Sequence, residues 1–180
     1  MLCPSDTPEG EACGLVKNLA LLSHVTVEAD ELPLVRLLYD LGVQSTSYLS
    51  GDEINESHIV FLNGNLLGIH SEPDVLAHRI RYLRRKGLIR EFISVFERAE
   101  QQCVYVASDC GRICRPLIIV DPNSGVPRLR SDHLVRITGG TLTWRDLLED
   151  GIVEFVDVNE ENNCFVATWE VNIVPGRTTH

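Results

Sequence analysis

The sequence predicts an α+β chain, part of a multidomain protein, in which a mixed α/β unit with an antiparallel sheet is followed by a smaller α+β module. Three observations carry this reading. Apolar residues recur at helical spacing in two stretches, Leu34, Leu37, Leu38 and Leu41 and then Leu76, Ile80 and Leu83. Runs rich in β-branched residues lie between and after them. The stretch Asp121–Pro127, with two prolines and a glycine, can continue neither helix nor strand and marks a boundary.

In chain order, residues 1–26 read as a turn followed by an apolar continuation, 19–27, that ends in β-branched residues and suits a buried strand. Residues 27–120 form the mixed unit. It opens on a helix at about Glu31–Leu41, ended by Gly42. A hairpin follows, Ile59–Leu62 and Leu66–Ile69 around Asn63-Gly64-Asn65, because Asn-Gly accepts the positive φ of tight turns. A basic helix comes next, with Pro73 at an early position. Phe92–Glu97, Cys103–Ala107 and Ile113–Val120 complete one antiparallel sheet, with Asp109-Cys110-Gly111 as a second hairpin turn. In residues 121–175, Thr143 caps a helix Trp144–Glu149 that buries Trp144, Leu147 and Leu148, and Gly151 stops it. Ile152–Val158 and Cys164–Trp169 read as two strands joined by the acidic turn Asn159–Asn163.

Composition bounds the chemistry. Hydrophobic residues make up 44% and charged residues 23%, a globular balance. No apolar run approaches the roughly 18 residues that span a bilayer, and no membrane partner is expected. No cationic segment leads into an apolar stretch and cleavage site, so an intracellular setting with six reduced cysteines is expected. Cys110 and Cys114 lack a second ligand pair, and the six histidines are scattered, so no metal site is read. A formal charge of −10 restricts any nucleic-acid contact to a local patch. That patch is residues 79–90, where Arg79, Arg81, Arg84, Arg85, Lys86 and Arg90 place six cations on the expected solvent side of the basic helix. Arg81, Arg84, Arg85 and Lys86 are the candidates for subunit or nucleic-acid contact. In the C-terminal module, Asp146, Glu149, Asp150, Glu154, Asp157, Glu160 and Glu161 suit either solvent or a basic protein partner.

The most informative stretch is residues 2–22. Pro4 and Pro8 fix φ near −65°, while Gly10 and Gly14 accept backbone conformations closed to other residues. Thr7, Glu9, Glu11, Lys17 and Asn18 therefore project from a constrained loop. These residues also carry a resemblance. Cys3-Pro4, Thr7-Pro8-Glu9-Gly10 and Gly14-Leu15 are similar to a segment near the active centre of the second-largest subunit of multisubunit DNA-directed RNA polymerases. Asp6 and Ala12 stand where the bacterial form has Glu and Asn. Arg84-Arg85-Lys86-Gly87, the run 111–117 (Gly-Arg-Ile-Cys-Arg-Pro-Leu) and the run 153–162 (Val-Glu-Phe-Val-Asp-Val-Asn-Glu-Glu-Asn) resemble the RNA polymerase III form of that subunit.

The resemblance implies an internal fragment of a much larger chain. Residues 1–26 would end the fork region, 27–120 and 121–175 would be two external domains, and 176–180 would start a hybrid-binding region. Asp6, Thr7, Pro8, Glu9, Gly10 and Lys17 would lie beside the active centre in a positional role, with Glu9 buried behind the turn and orienting a basic residue. The catalytic Mg2+ would be held by the largest subunit, and this segment would supply no catalytic residue and bind no cofactor. The implied partners are the largest and other polymerase subunits, with DNA template and RNA–DNA hybrid met through the whole enzyme, in the nucleus. Two alternatives stay open: the same fragment of polymerase II, and a free-standing protein-interaction module.

Overall fold

A computed structural model describes residues 1–48 and 57–180. The strands are β1 (His24–Val25), β2 (Gln44–Ser45), β3 (His58–Leu62), β4 (Asn65–His70), β5 (Ser94–Arg98), β6 (Cys103–Ala107), β7 (Ile113–Ile118) and β8 (Val153–Asp157). The helices are α1 (Leu32–Asp40), α2 (Pro73–Arg85), α3 (Ser131–Thr138), α4 (Trp144–Glu149) and α5 (Val158–Asn162). The α+β class holds, but the strands divide into two sheets. One is five-stranded in the order β2-β4-β3-β6-β5, and the other is three-stranded in the order β1-β7-β8.

Local signals produce the first sheet's hairpin and its helices. Asn63 (φ 49°) and Gly64 (φ 82°) both take positive φ, as a two-residue turn matched to strand twist requires. The Asn63 side chain then donates to Glu31 at 2.8 Å and to Ser108 Oγ at 3.1 Å, tying the turn to the start of α1 and the end of β6. Leu34 and Leu38 of α1, and Leu76, Ala77 and Ile80 of α2, close over Val60, Leu62, Val95, Val104 and Val106. Each Leu, Ile or Val so buried is worth about 1.5–3 kcal/mol. His70 joins the two helices. Its Nδ1 accepts the Glu72 N–H at 3.0 Å, which leaves Nε2 to donate to the Leu41 carbonyl at 3.3 Å. Gly68 lets β2 approach, since a Cβ there would sit 2.1 Å from the Gln44 carbonyl oxygen.

The expected single antiparallel sheet is corrected in two ways. β3 and β6 pair in parallel, and Ile113–Ile118 leaves for the second sheet, pairing antiparallel with β1 and β8. The reason is occupancy: β6 is already flanked by β3 and β5, so no edge remains for β7. The Asp109–Gly111 segment is accordingly no hairpin turn. It is held by Thr26, whose Oγ1 donates to the Asp109 carbonyl at 2.9 Å and accepts from Arg112 N–H at 3.0 Å.

Other expectations also change. The buried strand at 19–27 shrinks to His24–Val25, and Leu21 is 98% exposed. The acidic turn 159–163 is helix α5, because Asp157 accepts the Glu160 N–H at 2.8 Å and caps it. Cys164–Trp169 is not a strand; it is tied irregularly to the C-terminal residues, with Ala167 N–H donating to the His180 carbonyl at 2.8 Å. Helix α4 is capped by Thr143 as expected, but Trp144 is 47% exposed and meets Phe155 only edge-on at 6.3 Å. Asp121–Pro127 is a turn closed by a Val120–Pro127 bridge, and β7 before it pairs with β8 after it.

The two sheets meet along the outer edge of β5. Its carbonyls, and that of Ile93 just before it, receive side chains in place of a further strand: Arg84 on Ile93 O at 2.6 Å, Arg81 on Val95 O at 3.0 Å and Asn163 on Glu97 O at 2.5 Å. Arg84, only 3% exposed, also donates to Glu154 at 2.6 Å and to Glu160 at 2.7 Å. Arg81 reaches Glu160 at 3.1 Å, while Arg85 and His180 both reach Glu154, at 2.6 and 2.8 Å. Nearby, Arg112 joins Asp157 at 2.9 Å and the Phe92 carbonyl at 2.8 Å. The Phe92 ring stacks on His24 at 4.2 Å and meets Phe155 at 4.9 Å. Burial opposes ionisation of Glu154, but the charge of Arg84 and hydrogen bonds from His180 and Arg85 outweigh it and hold the carboxyl well below its usual range.

Arg84→Ala would leave two buried carboxylates without their shared partner and should cost about 3–5 kcal/mol of unfolding free energy, read by urea denaturation. The lowered Glu154 group fixes a pH dependence as well. Its stabilising contribution is complete above the unfolded carboxyl value of about 4.3 and is lost as pH falls toward the folded value. In Glu154→Gln the acid-side decline of the denaturation midpoint should be shallower than in the unaltered chain.

Candidate functional site

The loop of residues 1–20 is closed at its base by a small ladder. Leu2 and Leu19 form a bridge, Cys3 N–H donates to the Asn18 carbonyl at 2.9 Å and Ala20 N–H to the Met1 carbonyl at 2.8 Å. Ser23 Oγ adds a bond to the Met1 carbonyl at 2.7 Å, just before β1 joins the second sheet. Within the loop, Thr7 acts as a staple: its Oγ1 accepts from Gly14 N–H at 2.8 Å and donates to the Val16 carbonyl at 3.2 Å. Asn18 Nδ2 reaches the Asp6 carbonyl at 3.2 Å. Between them Gly10–Ala12 makes a single 3-10 turn, entered through Gly10 at φ 86°. Two prolines, two positive-φ glycines and one hydroxyl thus define the curve of the backbone.

The structure places Asp6, Thr7, Pro8, Glu9, Gly10 and Lys17 together on this loop, all exposed. Glu9 is therefore exposed, not buried behind the turn, and among the described residues its carboxylate has no ion-pair partner. Glu9 and Lys17 instead offer charge outward from a fixed frame. Leu15 and Val16, beside Lys17, are exposed too, so the loop's apolar flank faces away from the chain's own core. The Cys3 thiol is lowered from its ordinary value by the Ser5 and Asp6 backbone N–H groups, a feature that spacing alone did not reveal. Among the described residues, no three His, Cys, Asp or Glu side chains are grouped to hold a metal ion, and Asp6, Glu9 and Glu11 make no such cage.

The basic helix requires a correction. Arg84 is buried, and Arg81 and Arg85 turn inward with it onto Glu160 and Glu154, so they do not occupy the solvent side of α2. Of the four candidates only Lys86 remains exposed. The acidic module finds its basic partner within the chain: Glu154, Asp157 and Glu160 are buried against Arg84, Arg85, Arg112 and Arg81. Only a contact map could have revealed this, because the paired residues lie 70 and 76 positions apart.

Family models for RNA polymerase Rpb2 match the chain in three places: domain 3 at residues 1–25, domain 4 at residues 60–121 and domain 5 at residues 144–179. DNA-directed RNA polymerase III subunit 2 of Arabidopsis thaliana is 52% identical over 172 residues, 94% of the chain and 15% of that relative. Subunit RPC2 of the Saccharomyces cerevisiae polymerase III is 46% identical over 178 residues, 99% of the chain and again 15% of the relative. Polymerase II subunit RPB2 of Encephalitozoon cuniculi is 36% identical over 167 residues, 93% of the chain and 14% of the relative. The chain thus spans about 15% of the length of the two polymerase III relatives. With three successive domain models of one subunit matched along it, and closer identity to these polymerase III relatives than to the polymerase II one, the chain belongs to the Rpb2 family of second-largest subunits of DNA-directed RNA polymerases, among its polymerase III members.

Proposed function

We propose that this chain serves within the second-largest subunit of RNA polymerase III, in the nucleus, in template-directed synthesis of RNA from ribonucleoside triphosphates. Its own share is to shape the rim of the active centre through residues 1–26 and the outer subunit-contact surface through the two external domains, 27–120 and 121–175. The largest subunit holds the catalytic Mg2+ and is the principal partner, and DNA template and RNA–DNA hybrid are met through the whole enzyme. By itself the chain carries out no nucleotidyl transfer.

The observation that carries this reading is the Thr7-stapled loop, which presents exposed Glu9 and Lys17 from a backbone with few alternatives. A charged side chain on a fixed frame fits a role in positioning, where a displacement of about 1 Å can cost on the order of 100-fold in rate. Residues 1–20 also place exposed Leu15, Val16 and Leu19 on the same loop, an apolar flank suited to burial against neighbouring parts of an enzyme.

The test is Thr7→Val in the intact polymerase. It keeps the shape of the side chain and removes both bonds of the staple. Elongation rate on a defined template should fall about tenfold or more with subunit composition unchanged. Thr7→Ser, which restores the hydroxyl, should recover most of the rate. Normal elongation with defective assembly, or a Ser variant no better than Val, would refute the positional role. Glu9→Ala should likewise alter elongation rate or misincorporation without loss of subunits.

A further inference from the structure

Helix α2 carries two rows of side chains. Leu76, Ala77, Ile80 and Arg84 are buried, which accounts for its inner row. Val75, Arg79 and Tyr82, with Lys86 at the cap just past the helix end, follow each other at alternating four- and three-residue spacing, so they line up along a different flank. Val75 is 39% and Tyr82 54% exposed, and Arg79 and Lys86 are exposed beside them. The inner pairing is what makes this row distinctive. Arg81, Arg84 and Arg85 are committed to Glu154 and Glu160, whereas Arg79 and Lys86 have no ion pair among the described residues. In a chain of net charge −10, two uncommitted cations one turn to either side of an exposed tyrosine make a local reversal of sign.

We infer that this outer row of α2 is a docking strip for an acidic segment of another protein chain in the assembly. Tyr82 and Val75 supply contact area, and Arg79 and Lys86 bracket the tyrosine to receive carboxylates on either side. Nucleic acid fits less well. Two cations displace few counterions, and a single ring gives no path for successive bases. The inference rests on the reading that the chain works inside a larger polymerase.

The test uses the full-length subunit in purified polymerase, with a photoreactive benzoylphenylalanine in place of Tyr82 and mass spectrometry of the cross-linked peptide. The expected product joins position 82 to a segment of another protein chain that is rich in Asp and Glu. Its yield should fall about tenfold in an Arg79→Glu, Lys86→Glu background and should also fall in high salt, while both exposed substitutions leave folding intact. Cross-linking to DNA or RNA, to a neutral or basic segment, or to this chain's own residues 49–56 overturns the inference. A polymerase that makes RNA and yields no cross-link overturns docking alone. A subunit that enters no RNA-synthesising assembly overturns the underlying reading, and the docking strip with it.

Discussion

The architecture hinges on one guanidinium shared by two carboxylates. Arg84 lies between Glu154 of β8 and Glu160 of α5 while also donating to the Ile93 carbonyl beside β5, so a single side chain from the first sheet's helix is fixed to two elements of the second module. Burying three charges is costly, and an apolar core of equal volume would be as stable or more so. What the ionic arrangement supplies is direction. Its donors and acceptors accept one mutual placement of the sheets, and Arg81, Arg85 and Arg112 repeat the constraint around it.

This explains why charge was the least legible feature of the sequence. Arg84-Arg85-Lys86 looks like the polar end of an amphipathic helix, and the acidic residues of the C-terminal module look suited to solvent or to a basic partner on another protein. Each reading follows local rules, and both fail because the partners are supplied from far along the chain. Features whose causes are local fared better. The Asn63-Gly64 turn, the Leu34 and Leu38 stripe, the Pro73 helix start and the Thr143 cap all fall where residue type alone dictates them. Helix α3 escaped notice: Ser131–Thr138 is short and buries none of its residues, although Leu134 and Ile137 do lie three apart on it. The parallel pairing of β3 with β6 is likewise decided by crossover, to which strand composition is blind.

The opening loop was half legible. Prolines and glycines announced a constrained bend, and the cluster of candidate residues does sit on it. The staple through Thr7 and the outward placement of Glu9 depend on where Gly14 and Val16 return, which spacing could not specify. The same loop shows a division of labour. Its interior bonds are made by backbone and one hydroxyl, and this leaves its acids, its lysine and its leucines uncommitted to the chain's own interior. Shape is set from within, while chemistry is left to whatever lies opposite.

The edge of β5 has a consequence for how the chain comes into being. Strand edges with open carbonyls template pairing with other molecules, and here that edge is sealed by Arg81, Arg84 and Asn163. The arginines precede β5, but the carboxylates that hold them in place, and Asn163 itself, are synthesised well after it. A ribosome making this polypeptide therefore releases a sticky border before its cover exists, and translational pausing between the two would favour aggregation of the nascent product.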